Sequence, residues 1–225
     1  MIRQLTFDLP ADARLTRADF CVSPANALAL AAVDAWRAWP NRKMLLVGPP
    51  GAGKSHLAHI WVADANALLV PASQLAGADI PALAAHGTIG VEDAEKLAGD
   101  PSAEAALFHL HNLLSSTGSL LITAKTPPRD WGLTLPDLAS RMQATALTRL
   151  DPPDDALLTA ILAKLFADRQ LVISANLIPY LVVRMDRSVA AARALVEALD
   201  ARALSQHRAI TRAMAGEILD INASE

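Results

Sequence analysis

The sequence predicts an α/β fold, a parallel sheet flanked by helices, followed by a small all-α domain. Short apolar runs alternate with helical stretches as far as residue 150, which is the pattern of a parallel sheet covered on both faces. A glycine-rich loop joins one of these runs to a helix. After residue 150 no apolar run gives a strand signal of similar strength. Hydrophobic residues make up 52% of the 225 positions and charged residues 19%, so the composition excludes a disordered chain.

The elements of the α/β part follow from local signals along the chain. A first helix is predicted after Ser23, because serine is a good N-cap and Pro24 suits the first helical position. The predicted strands are short apolar runs, at residues 43–47, 67–70, 88–91, 120–123 and 144–147. The predicted helices between them cover residues 54–65, 79–85, 102–116 and 136–142.

The pattern changes at the Asp-Pro-Pro-Asp-Asp segment after Leu150, and we place a domain boundary there. Four helices are predicted beyond it, at residues 154–169, 175–185, 188–206 and 211–220. The expected organisation is a tail and linker at 1–18, a nucleotide-binding domain at 19–150 and a helical lid domain at 151–225.

Charge and cysteine content exclude several classes of protein. The net charge of −3 is spread evenly, with 12 Lys/Arg against 13 Asp/Glu in residues 1–150 and 8 against 10 afterwards. No basic stripe of a nucleic-acid binder is visible, so no direct sequence-specific DNA binding is expected. The single Cys21 excludes a disulfide framework, and no apolar run is long enough to span a bilayer. These features predict a cytoplasmic protein without membrane attachment.

Residues 48–55 read Gly-Pro-Pro-Gly-Ala-Gly-Lys-Ser and match the phosphate-loop pattern G-x-x-x-x-G-K-[ST] between a strand and a helix. Glycines let the backbone N–H groups wrap around phosphate oxygens, and the helix N-terminus adds its positive dipole end. Lys54 is expected to reach the β- and γ-phosphates, and the Ser55 hydroxyl to hold Mg²⁺. The residues predicted to bind the nucleotide are Gly48, Pro49, Pro50, Gly51, Ala52, Gly53, Lys54, Ser55 and His56.

Two carboxylates, Glu92 and Asp93, follow the predicted strand at 88–91. A phosphate loop is usually paired with an acidic residue at the end of a neighbouring strand. One carboxylate, assigned to Glu92, would hold the Mg²⁺ shell, and the other would polarise a water molecule. An ordinary strand ending in a solvated turn is the alternative interpretation.

Beyond these motifs, the chain resembles the AAA+ module of the bacterial replication initiator DnaA. The resemblance begins with residues 19–30, passes through the phosphate loop and the acidic strand, and continues through residues 121–128, residues 138–142 and the helical lid. It covers roughly residues 19–220, nearly the whole chain. It implies an AAA+ P-loop core and bound ADP or ATP with Mg²⁺. After the lid the initiator continues into a helix-turn-helix DNA-binding domain, and because this sequence stops at Glu225 we expect that domain to be absent.

The short form with a leading Gln-Leu motif is similar to the Hda-type regulators, which inactivate the initiator after replication begins. In that family the N-terminus docks on the sliding clamp of DNA polymerase III. The residues that carry this partner-binding prediction are Gln4, Leu5, Phe7 and Leu9. The alternative is that the alternating apolar residues form an edge strand.

Arg141 lies where this family places its arginine finger, a residue that stabilises charge on the γ-phosphate of a neighbouring subunit. By resemblance, the neighbour would be ATP-bound DnaA, and Arg141 would promote its hydrolysis. From the residues alone, Arg141 could instead be a surface arginine at the end of a short helix.

The sequence departs from the initiator pattern at three places. Glu92 replaces the usual aspartate, Ala124-Lys125 replace a frequent Ser-Asp pair, and Ala190 stands where a lid arginine is expected, with Arg187 and Arg193 nearby. These departures predict weak or no intrinsic ATPase activity with nucleotide binding retained. The leading hypothesis is a replication regulator that acts in trans. The alternatives are a nucleotide-gated adaptor or a small-molecule P-loop kinase, and self-association stays open.

Overall fold

A computed structural model describes residues 15–114 and 118–222, with side chains described as far as residue 220. Its centre is a five-stranded parallel sheet in the order β2-β3-β4-β1-β5. The strands are β1 (Lys43–Val47), β2 (Leu68–Pro71), β3 (Thr88–Glu92), β4 (Ser119–Ala124) and β5 (Leu147–Arg149). Every strand precedes residue 150, as the sequence predicts, and the α/β fold class is confirmed.

Nine α-helices accompany the sheet within the described residues. Five of them lie around the strands: α1 (Pro24–Asp34), α2 (Lys54–Ala65), α3 (Ile80–Ala85), α4 (Pro101–Leu113) and α5 (Pro136–Ala144). The other four follow the last strand: α6 (Asp155–Asp168), α7 (Leu177–Val182), α8 (Val189–Gln206) and α9 (Arg212–Asn222). Ser23 caps α1 in a complete capping box with Asn26, as its position before Pro24 predicts.

The last predicted strand is wrong by three residues. Residues 144–147 read as an apolar run, but α5 continues through Ala144 and the strand begins at Leu147. Alanine favours the helix, and the strand is placed by its pairing with β1, in which Leu147 lies opposite Leu45. Similarly, the helix predicted at 102–116 covers residues 101–113 in the structure.

The sheet is covered on both faces. On one face, α1 and α2 pack on the strands around Trp61, which is 1% exposed and stacks on Trp39. On the other face, α3, α4 and α5 bury the residues around Leu107 and Leu138. Covered on both faces, β1 and β4 are buried along their whole length, and they are apolar except at Lys43, Ser119 and Thr123.

Helices α6–α9 form a separate hydrophobic cluster, which we call the lid. Its core holds Leu158, Leu162, Phe166, Leu181 and Val196, all nearly inaccessible to solvent. Among the described residues, none of the helices is long and apolar enough to cross a membrane.

Candidate nucleotide-binding site

The phosphate loop lies where the sequence predicts, between the end of β1 and the start of α2. Gly51 and Gly53 have φ angles of +72° and +108°, which only glycine adopts readily, and these angles turn the chain into α2. The Lys54 Nζ donates hydrogen bonds to the carbonyl oxygens of Gly48 and Pro49, at 2.8 and 3.0 Å. The ammonium therefore lies over the loop that it is predicted to serve.

A cavity of about 1000 Å³ opens beside this loop. Three parts of the chain enclose it: the segment before α1, the phosphate loop with the start of α2, and the lid helices α6 and α8. This volume is at the upper end of the range for small-molecule sites. Most of the predicted nucleotide-binding residues line the cavity, namely Pro50, Gly51, Ala52, Gly53, Lys54, Ser55 and His56.

The two carboxylates of the predicted acidic pair, Glu92 and Asp93, lie in different surroundings. Asp93 lines the cavity and adopts a left-handed conformation with φ of +55°, whereas Glu92 is not among the lining residues. The backbone N–H of Asp93 donates to the Thr123 hydroxyl at 3.2 Å, which ties the end of β3 to the end of β4. One carboxylate oxygen of Glu92, Oε1, is buried and has no hydrogen-bond partner among the described residues.

Electrostatics connect these carboxylates to the loop lysine. Burial lowers the pKa of Lys54, while the carboxylates of Asp93, Glu95 and Glu92 oppose that shift. Lys125 also lines the cavity, and its backbone N–H donates to Glu95 at 3.1 Å. The site therefore presents two lysines, Lys54 and Lys125, and nearby carboxylates beside the phosphate loop.

The lid touches the phosphate loop directly. The backbone N–H of Val189, the first residue of α8, donates a 2.8 Å hydrogen bond to the carbonyl oxygen of Gly51. Ala190, at the expected lid-arginine position, faces the cavity, and so does Arg193 one turn later. Arg187 does not line the cavity, and its guanidinium pairs with Asp155.

The segment before α1 closes the cavity from the other side. The His56 Nε2 lies 2.7 Å from the carbonyl oxygen of Thr16, and the Phe20 ring packs edge-on against the His56 ring. Asp19 forms an ion pair with Lys164 of the lid at 3.0 Å. This segment thus contacts both the phosphate-loop helix and the lid.

Arg141 lies far from this cavity along the sheet. It is exposed in the last turn of α5 and lines a second cavity together with Lys43, the first residue of β1. The phosphate loop follows the opposite end of β1, and a five-residue strand is about 13 Å long. The structure therefore separates Arg141 from the chain's own phosphate loop. The predicted partner-binding residues Gln4, Leu5, Phe7 and Leu9 lie outside the described residues.

Sequence reasoning missed three residues that shape these sites. The sequence pattern treats Thr123 only as part of an apolar run, although a threonine at the end of a buried strand is a signal for a polar role. It treats Lys43 as the start of the β1 run, although a lysine there is unusual. Phe20 lines the nucleotide cavity, and nothing in the local pattern distinguishes it from a core residue.

Solved structures of other proteins share this architecture. No protein-family model matches the chain. Domain III of the Thermotoga maritima replication initiator DnaA superimposes with a TM-score of 0.77 at 18% identity, over 89% of this chain and 93% of that one. AMPPCP-bound DnaA from Aquifex aeolicus gives 0.68 at 18% identity, over 80% of this chain and 63% of that longer one.

A third solved structure, a mutant of Thermotoga maritima RuvB, gives a TM-score of 0.66 at 19% identity over 88% of this chain and 68% of that one. Each of these three structures superimposes over at least 80% of this chain. The chain therefore has the AAA+ fold, a P-loop core followed by a helical lid, in a form similar to domain III of DnaA.

Proposed function

We propose that this chain is an adenine-nucleotide-binding regulator of replication initiation of the Hda type. With the DNA-loaded sliding clamp it stimulates ATP hydrolysis on DnaA, and the resulting ADP-bound initiator does not re-initiate. The observation that carries this proposal is the exposed position of Arg141, at the edge of the sheet opposite the phosphate loop.

Nucleotide binding is supported by the cavity and its loop. Backbone N–H groups at the start of α2 and the Lys54 ammonium would hold the phosphates, and the space between Phe20 and the lid would take the base. The similarity to AMPPCP-bound DnaA supports an adenine nucleotide, ADP or ATP.

The donor set also fits Mg²⁺. No group of three or more metal-binding side chains occurs in the described residues, but Mg²⁺ bound with phosphates needs only one or two protein ligands. The exposed Ser55 hydroxyl and the Asp93 carboxylate would supply them, and the unpartnered Glu92 Oε1 is a further oxygen nearby in sequence. Mg²⁺ would neutralise phosphate charge there.

The same geometry supports our proposal that hydrolysis in the chain's own site is weak. Ala190 brings no cation to the cavity, and Lys125 occupies a position where the initiator often has an acidic residue. The Thr123 hydroxyl already accepts the backbone N–H of Asp93. We therefore assign the bound nucleotide a mainly structural role, in holding the lid against the core.

Action on a neighbour is assigned to Arg141. A guanidinium stabilises the charge that spreads over the phosphoryl oxygens in the transition state, and it does so best with two donors at once. Because Arg141 cannot reach the chain's own loop, its target would be a γ-phosphate presented by another subunit. The proposed target is the nucleotide of DnaA.

The test is conversion of DnaA-bound ATP to ADP, with clamp-loaded DNA and matched concentrations of wild-type or variant protein. Arg141→Ala should lose nearly all stimulation, because fingers supplied in trans are worth on the order of 10³–10⁵ in rate. Arg141→Lys should rescue poorly, since lysine lacks the planar pair of donors. Gln143→Ala, exposed on the same helix, is the matched control and should stimulate normally.

Full stimulation by Arg141→Ala would reject the finger and favour the nucleotide-gated adaptor. The clamp partner has its own test, which is deletion of residues 1–9. We expect that deletion to abolish clamp binding in a pull-down and to leave ADP affinity unchanged. Normal clamp binding by the shortened protein would place the clamp contact elsewhere.

A further inference from the structure

The second cavity, at the edge of the sheet where β1 begins, has a volume of about 420 Å³. Its wall comes from the start of β1, the end of α4 and the end of α5. The residues that line it are Pro40, Asn41, Lys43, His111, Asn112, Arg141, Ala144 and Thr145. No acidic residue is part of this wall, as far as the structure describes the chain.

Lys43 is the unusual member of this wall. The residue is only 4% exposed, and its ammonium, unlike its backbone N–H, has no hydrogen-bond or ion-pair partner among the described residues. Because Lys43 lines the cavity, a partner for this charge would reach it from the cavity. Burial lowers the pKa of Lys43, and the nearby Arg141 guanidinium lowers it further.

His111 adds a second unsatisfied group. It is 7% exposed, and its Nδ1 is buried without a hydrogen-bond partner among the described residues. Burial lowers the pKa of His111 to about 4, and the positive charges of Lys43 and Arg141 act in the same direction. At neutral pH this imidazole is therefore uncharged, so one ring nitrogen carries a proton and the other can accept one.

The carbonyl ends of α4 and α5 lie near this cavity and offset part of its positive charge. Helix C-termini stabilise a nearby cation only weakly in ordinary surface geometry. Two cations, Lys43 and Arg141, therefore face this cavity without a carboxylate in its wall.

We infer that this cavity binds a phosphate group through Lys43, Arg141, His111 and Asn112. A phosphate near neutral pH carries up to two negative charges, which balances the two cations, whereas a single carboxylate would leave one cation unmatched. Its oxygens point in four directions and accept hydrogen bonds from several walls at once. Lys43 and His111 are thus binding residues beside Arg141.

This inference deepens the proposed function, and it rests on that function only for the source of the phosphate. The phosphate could belong to a free compound or to the nucleotide of a neighbouring DnaA molecule. The cavity and its charges belong to this chain in either case, so binding can be tested on this protein alone.

The probe is sodium pyrophosphate added to ADP-saturated protein, compared with sodium chloride at equal ionic strength. Saturation with ADP keeps the probe from the phosphate loop. The readouts at pH 6 are the NMR signals of the His111 ring, assigned with His111→Gln, and the backbone amides of Asn112 and Thr145. An anion beside His111 favours its charged form, so pyrophosphate should raise the protonated fraction at least tenfold and shift both amides.

Lys43→Met keeps the length and apolar stem of the side chain, and Arg141→Gln changes an exposed position, so both variants should fold. Each should weaken the pyrophosphate response at least tenfold. The matched control is His109→Gln, two residues from His111 on α4 and outside the cavity wall, which should respond like the wild type. Absence of any response in the wild type, or an unchanged response in Lys43→Met, would overturn the inference.

A second arm identifies the source of the phosphate. Addition of ATP-loaded DnaA, but not ADP-loaded DnaA, should change the same signals if the phosphate is the γ-phosphate of a neighbour. A response to pyrophosphate alone supports a site for free phosphate compounds. If the protein binds pyrophosphate here but does not stimulate ATP hydrolysis on DnaA, this inference stands and the proposed function is rejected.

Discussion

The carboxylate of Glu104, in the first turn of α4, accepts a 2.7 Å hydrogen bond from the backbone N–H of Leu135, the residue that precedes α5. The same carboxylate accepts from the backbone of Gly99 and from both the N–H and the hydroxyl of Thr134. Glu104 is fully buried. One side chain therefore fixes the entry to the helix that carries Arg141.

The first prediction concerns this carboxylate. Glu104→Gln replaces an acceptor-only group with an amide whose NH₂ cannot accept these N–H donors, so we expect a loss of about 1–3 kcal/mol in the free energy of unfolding. Urea denaturation measures it, and Glu197→Gln, exposed on the lid, is the control with a small effect. A loss no larger than that of Glu197→Gln would contradict the anchoring role.

The pH dependence of this contact has a defined sign. Burial alone would raise the pKa of Glu104, but the hydrogen bonds from Gly99, Leu135 and Thr134 outweigh it, and the pKa is lowered. The contribution to stability is therefore present above the unfolded pKa and is lost as pH falls through the folded pKa. The difference in stability between wild type and Glu104→Gln should shrink in acid.

The second prediction concerns Lys54. Lys54→Ala removes the cation held over the loop by Gly48 and Pro49 while leaving the backbone N–H groups, so affinity for ADP should fall at least about tenfold, roughly 1.4 kcal/mol. Titration calorimetry is the measurement. Arg129→Ala, an exposed change away from the cavity, should bind ADP as the wild type does. If Lys54→Ala binds ADP as tightly as Arg129→Ala does, the phosphate loop is not the ADP-binding site.

The third prediction concerns contact between loop and lid. A Cβ built on Gly51 lies 2.4 Å from the Ser188 Cβ, so Gly51→Ala must move the lid away from the loop. Gly99 has a similar positive φ of +86°, but nothing lies within 4 Å of its Cβ position, so Gly99→Ala carries the backbone strain without the clash. Only Gly51→Ala should weaken ADP binding, by calorimetry, although both should lower the melting temperature.

The fourth prediction concerns acid stability through His111. The unfolded chain takes up a proton at this histidine near pH 6.5, whereas the folded chain does so only at about pH 4. Stability therefore falls as the pH falls through this window, by about 2 kcal/mol from pH 7 to pH 5 for this group alone. His111→Gln should reduce that loss in urea titrations at the two pH values. His109→Gln is the control, and the same slope in both variants would contradict the assignment.

The periodic and motif-based parts of the sequence predicted most of the fold. The β1 run, the phosphate loop and the cap of α1 depend on neighbouring residues, and each lies where those residues indicate. The start of β5 could not be predicted locally, because the short apolar run at 144–147 resembles a strand although its alanines favour the helix. The pairing of β5 with β1 sets where the strand starts, and this contact joins residues that are distant in the sequence.

In the candidate site, too, some residues are placed by a sequence motif and others by packing. Gly51, Lys54 and Ser55 come from a motif of fixed spacing, so their joint position follows from sequence. Sequence did not decide which of Arg187 and Arg193 lies beside the cavity, because packing sets the position of α8 and of the residues that precede it. The structure turns Arg187 to Asp155 and leaves Arg193 beside the cavity.

The separation of Arg141 from the phosphate loop, by the length of β1, has a kinetic consequence. A nucleotide in this chain's own cavity and the guanidinium of the same molecule do not meet, so any reaction that joins a finger to a phosphate requires an encounter between two molecules. The rate of such a reaction depends on both concentrations and falls on dilution, until a scaffold that holds the two molecules together makes it first order.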